Sequence, residues 1–159
     1  MALGWGIIST GLHPENKIAP AIARATGAEL AAVYSRDQGR AEAFAEKHGA
    51  KAAWHDLVSL LSDPKVDAVF ISSPNSLHAQ HGIQAALAGK HVLVEKPMAM
   101  NEAEARQMAA VAAETGRQLM VGHMWRFDRE ALYRRDAVAR GLLGDIVKTK
   151  GYGIHKSWG

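Results

Sequence analysis

The 159-residue sequence has no cysteine. Disulfides, thiolate metal ligands and cysteine nucleophiles are therefore excluded, and a reducing, cytoplasmic compartment is expected. Long apolar runs are missing as well: none reaches the ~18 residues of a membrane-spanning helix, and the opening MALGWGIIST has neither a charged lead-in nor a small-residue cleavage site. Nor is charge of one sign gathered anywhere. The 19 Lys and Arg and 16 Asp and Glu, net +3, are spread along the chain, so neither a nucleic-acid arm nor a polybasic membrane patch is expected. The histidines show no metal-ligand spacing, and no metal is assigned. What remains, 48% hydrophobic and 22% charged residues, is the composition of a soluble α/β protein of one globular domain.

Short β-rich runs at 6–8, 28–34, 51–54, 66–72, 91–94 and 118–122 alternate with helical patterns. The helical segments are 40–48 with Phe44 and Ala45, 78–88 with Ile83, Ala86 and Leu87, and 102–114 with Ala105, Met108, Ala109 and Ala112 on one face. Gly27, Gly49, Gly89 and Gly116 fall where left-handed C-caps are wanted, and Asn101 with Glu104 forms a capping box. Six strands, each followed by a crossover, predict a doubly wound parallel sheet, whose ligands bind at the carboxyl ends of the strands. Beyond Phe127 the pattern changes: 128–140 is a basic amphipathic helix, and 146–155 alternates like the first strand of a new sheet.

The residues that follow each strand are therefore the candidates. Gly4-x-Gly6-x-x-Ser9 imitates a dinucleotide fingerprint, but too few residues precede it to form a strand. With 6–8 as the strand, the turn is Ser9-Thr10-Gly11. Gly11 then allows close backbone approach to a pyrophosphate, Ser9 replaces the usual first glycine and Pro14 the third. Pro14 has no N–H, and the helix is expected to be delayed to about Lys17–Ala19, leaving a longer loop. An ordinary βα turn without a phosphate is the competing reading. After the second strand, Ser35 and Arg36 stand where an acidic residue would meet an adenosine ribose, which suits a 2′-phosphate and favours NADP, with NAD kept as the alternative through Asp37.

The fourth strand leads into Ser73, Pro74, Asn75 and His78, and the fifth into Glu95, Lys96 and Pro97. A lysine at a buried strand end can exchange a proton, and a cis bond before Pro97 would fix it in the cleft. A surface salt bridge beside a loop proline is the alternative for Lys96, and a plain helix start is the alternative for His78. After the sixth strand, Arg126 is a candidate for an oxyanion or cofactor, while His123 and Trp125 equally suit packing.

Residues 74–97, PNSLHAQHGIQAALAGKHVLVEKP, closely resemble the Gfo/Idh/MocA family of NAD(P)-dependent sugar and polyol oxidoreductases. Its signature combines Pro-Asn-x-x-His, Ala-Gly-Lys-His-Val-Leu and Glu-Lys-Pro, and the resemblance extends over almost the whole chain. It implies a Rossmann domain over 1–123, and a linker helix with the truncated start of a substrate and dimerisation domain over 124–159. It further implies a cofactor across Ser9–Gly11 and along Pro74, Asn75 and His78, with Glu95 at the nicotinamide end, Lys96 beside the substrate hydroxyl and Arg126 in a turn after the sixth strand. A sugar or polyol substrate is implied, and a homo-oligomer at full length. Family members continue into an antiparallel sheet that supplies a catalytic histidine. His155 lies outside that motif, and the role is not transferred to it. A non-catalytic dinucleotide-binding module or subunit is the competing function.

Overall fold

The computed structural model of the chain describes residues 2–151. Six strands, β1 Leu3–Ile8, β2 Ala28–Tyr34, β3 Ala52–Trp54, β4 Ala68–Ile71, β5 His91–Val94 and β6 Leu119–Val121, form one sheet in the order β3-β2-β1-β4-β5-β6. Every pairing is parallel. This is the doubly wound Rossmann order, with its switch point between β1 and β4. The connecting helices are α1 Ala19–Arg24, α2 Gln38–His48, α3 Leu57–Ser62, α4 His78–Leu87 and α5 Glu102–Thr115.

Side chains alternate across the sheet, so neighbours in one strand feed different cores. Ile7 and Phe70 join Ile22, Leu30, Val33 and Phe44 in the layer with α1 and α2. Ile8 and Ile71 instead join Leu60, Ala85, Val94 and Met108 in the layer with α3, α4 and α5. Strands β1, β2 and β4 read as nearly continuous apolar runs because both faces are covered.

Gly4 and Gly6 lie inside β1 and serve packing. A Cβ on Gly4 would stand 1.8 Å from the Lys65 carbonyl oxygen, and one on Gly6 would press on Val66 and Leu60. The four expected cap glycines, Gly27, Gly49, Gly89 and Gly116, all have positive φ. Asn101 accepts from the Glu104 N–H as the capping box requires.

Two expectations need correction, and one helix was not among those expected. The helix after β1 is not delayed: helical backbone begins at Leu12 and continues through a π-helical stretch, Pro14–Ile18, into α1. Pro14 falls in the first turn, where a missing N–H costs nothing, and the wider winding before Pro20 relieves the clash its ring would make in a regular helix. Helix α3 escaped the periodicity because LVSLLS is too short to show a face; Asp56, which accepts from the Ser59 N–H, caps it. Residues 146–151 form no strand, and 152–155, with His155, lie outside the described residues.

The compact unit ends at Gly122, and a second unit begins at His123. Taken by itself, the second unit has a 3-10 turn, Met124–Phe127, and helix α6, Arg129–Ala139. Asp128 caps α6 by accepting from Glu130 N–H and Ala131 N–H.

Candidate functional site

At the carboxyl ends of β1, β2 and β4 the chain opens into a cleft of about 520 Å3. Its walls come from three segments: Ile8–Gly11 after β1, Tyr34–Asp37 with Arg40 after β2, and Ser73, Pro74, Leu77 and His81 after β4. The predicted residues Ser9, Thr10, Gly11, Ser35, Arg36, Ser73 and Pro74 are thus brought together.

Ser9 holds the turn. Its N–H donates to the Tyr34 carbonyl at 3.0 Å, and its Oγ accepts from Gly11 N–H at 3.3 Å. Its φ of 121° is one that glycine normally supplies. Because the helix starts directly after Gly11, its first N–H groups have no partner within the helix, and an anion is favoured at that terminus.

After β2, Ser35 Oγ accepts from Asp37 N–H at 3.4 Å. The Asp37 carboxylate caps α2, accepting from Arg40 N–H at 2.8 Å. The guanidinium groups of Arg36 and Arg40 have no hydrogen-bond or ion-pair partner among the described residues. Arg40 was not singled out from the sequence, although it lies one helical turn beyond Arg36.

His78 does not line the cleft. It is buried, its Nδ1 lies 2.7 Å from the Pro97 carbonyl oxygen and its Nε2 lies 2.9 Å from that of Ser73. It therefore ties the turn after β4 to the turn after β5, and it also begins α4. His81, one turn further along, lines the cleft with Nδ1 3.0 Å from Ser73 Oγ. Burial, with the neighbouring His78 second, holds the His81 imidazole below its usual value.

Asn75 is exposed at the start of the Asn75–Leu77 turn and outside the cleft wall. The Lys96–Pro97 bond is cis. Lys96 is exposed, not enclosed at a buried strand end as the sequence suggested. Its N–H donates to Glu95 Oε2 at 3.0 Å, and Glu95 Oε1 lies 2.9 Å from Nε2 of His13, a residue the sequence reading passed over. Its place two residues beyond Gly11 was the available signal. Gly122 leaves the space this carboxylate uses, since a Cβ there would stand 3.3 Å from Oε1. Arg126 lies in the second unit, on the Met124–Phe127 turn.

Comparison with known proteins agrees with this geometry. The sequence pattern of the oxidoreductase family with an NAD-binding Rossmann fold matches residues 3–123. A 1,5-anhydro-D-fructose reductase of Ensifer adhaerens is 38% identical over 146 residues, covering 92% of this chain and 44% of that protein. An NAD-binding oxidoreductase structure from Klebsiella pneumoniae superposes with a TM-score of 0.84 at 38% identity, covering 88% of this chain and 39% of the other. A 3-ketoreductase from Actinomadura kijaniata, crystallised with NADP, gives 0.84 at 31% identity, covering 91% and 46%. The chain thus spans less than half the length of these relatives. With its sheet order, its turn after β1 and its Glu95-Lys96-Pro97 segment, the chain belongs to the Gfo/Idh/MocA family of NAD-binding Rossmann-fold oxidoreductases.

Proposed function

We propose that the protein is an NADP-dependent oxidoreductase that exchanges a hydride with a sugar, polyol or related hydroxyl or carbonyl compound. The observation that carries this reading is the meeting, in one cleft, of a tight turn at a helix start with two guanidinium groups that lack partners among the described residues. A pyrophosphate suits the helix start and a 2′-phosphate suits guanidinium. Ser9, Thr10 and Gly11 would hold the pyrophosphate, and Ser35, Arg36 and Arg40 the adenosine ribose with its 2′-phosphate. Ser73 and Pro74 would flank the adenosine half. Asp37, which a bare ribose would need, is engaged in capping α2, and this supports NADP over NAD. The NADP complex of the related 3-ketoreductase supports the same choice, and the anhydrofructose reductase supports a carbohydrate substrate.

When bound, the nicotinamide supplies the hydride acceptor or donor. The chain contributes the proton: Lys96 Nζ would give it to, or take it from, the substrate oxygen. The backbone on both sides of that side chain is held, by Glu95 Oε2 at the Lys96 N–H and by His78 at the Pro97 carbonyl. Lys96 therefore works from a fixed base.

The lack of cysteine favours a cytoplasmic location, and no helix among the described residues is long and apolar enough to cross a membrane. Assembly as a homo-oligomer belongs to the same proposal. Lys96→Ala is expected to lower kcat about 10²- to 10⁴-fold, the usual weight of a positioned proton-transfer group, while NADP still binds. Undiminished turnover in that variant would refute the role of Lys96.

A further inference from the structure

His13 belongs to the first helical residues after the Ser9–Gly11 turn, and Glu95 follows β5, so their contact spans two strand ends that β4 separates. His13 Nε2 lies 2.9 Å from Glu95 Oε1, at ion-pair distance but without hydrogen-bond alignment. The imidazole stands 6.2 Å, centre to centre, from the Phe70 ring of β4. The Glu95 side chain is only 12% exposed, and its other oxygen is taken by Lys96 N–H. This is a carboxylate largely withdrawn from water, with its position set by two neighbours.

The inference rests on the dinucleotide reading. With the ribose after β2 and the pyrophosphate after β1, the remaining half of the cofactor extends towards β4 and β5, each strand adding about 4.8 Å. Glu95 stands at that end. A nicotinamide ring is cationic when oxidised and neutral when reduced, so a shielded carboxylate beside it discriminates between the two states. How strongly it does so depends on how far the carboxylate is covered.

The geometry points to His13 as a positioning residue that, through Glu95, sets the preference of the site for oxidised over reduced dinucleotide. Removing the imidazole uncovers Glu95 Oε1 and favours the cationic ring. Neutralising Glu95 has the opposite effect. The adenosine half of the cofactor, bound around Arg36 and Arg40, feels neither change.

The test is calorimetric titration of the full chain with NADP⁺, NADPH and adenosine 2′,5′-bisphosphate. In His13→Ala the ratio of NADP⁺ to NADPH affinity is expected to rise about ten-fold, the worth of roughly 1.4 kcal/mol. In Glu95→Gln it is expected to fall below that of the unmodified chain, with bisphosphate affinity unchanged in both variants. His13→Phe keeps a ring against Phe70 and shifts the ratio in the same direction, which covers a failure of the Ala variant to fold. An unchanged ratio, or an equal loss for all three ligands, overturns the role of His13. An unmodified chain that binds none of them instead refutes the dinucleotide reading itself.

Discussion

Ser9 carries a backbone conformation that serine seldom adopts: its φ of 121° is the only positive value at a non-glycine position among the described residues. Such a conformation costs on the order of 1–3 kcal/mol and persists where the surrounding structure enforces it. The family's usual glycine at this position relieves that strain, whereas Ser9 keeps it and gains a hydroxyl that accepts from Gly11 N–H. Ser9→Gly is accordingly expected to raise the free energy of unfolding by about 1 kcal/mol, read from urea denaturation, and a loss of stability would show that the hydroxyl outweighs the strain. His78 is the opposite case, a residue whose ring is wholly engaged by the fold. His78→Ala removes the ring that stands between these two carbonyl oxygens, and since a neutral imidazole carries a single N–H, a destabilisation of about 1–3 kcal/mol follows from one unsatisfied group. A change below about 0.5 kcal/mol, the range of an ordinary surface substitution, would mean that the two turns do not depend on this ring.

At the scale of elements, α4 joins structure to titration. His81 lies on it, and burial holds its imidazole below the usual value. The folded chain therefore resists protonation at His81. The corresponding stability is fully present above the unfolded value of about 6.5 and is lost as pH falls from there through the folded value. Thermal unfolding between pH 7.5 and 5 is expected to show a decline that His81→Gln reduces, and an identical decline in the variant would place the acid sensitivity elsewhere. The segment after β1 marks the limit of what periodicity reveals. Pro14 suggests a loop, yet the chain winds through it and through Pro20, each in the first turn of its helical segment, because proline's missing N–H is harmless at those points. Helix α3 was equally hidden, six residues giving no repeat to read.

For the molecule as a whole, the alternation of apolar runs with helical stretches was enough to foretell a parallel sheet, because burial on both faces leaves β1, β2 and β4 almost without polar residues. The end of the sheet at which to search followed from that topology, and Ser9–Gly11, Ser35–Arg36 and Ser73–Pro74 meet there. Arg40, His81 and His13 were not readable in the same way. Arg40 and His81 lie one helical turn beyond a residue already chosen, and His13 reaches Glu95 only because the π-helical segment begins without a loop. The exposed Lys96 differs from the buried group expected, since sequence registers the apolar run of β5 but not where the chain leaves the sheet. The central claim, a cleft built for a dinucleotide bearing a 2′-phosphate, is tested most directly by calorimetric titration of the chain with NADP and with NAD. NADP is expected to bind about ten-fold or more tightly, the worth of roughly 1.4 kcal/mol in charge-assisted contacts, with the difference lost in Arg36→Ala and reduced in Arg40→Ala. Equal affinity for the two dinucleotides in the unmodified chain would contradict it.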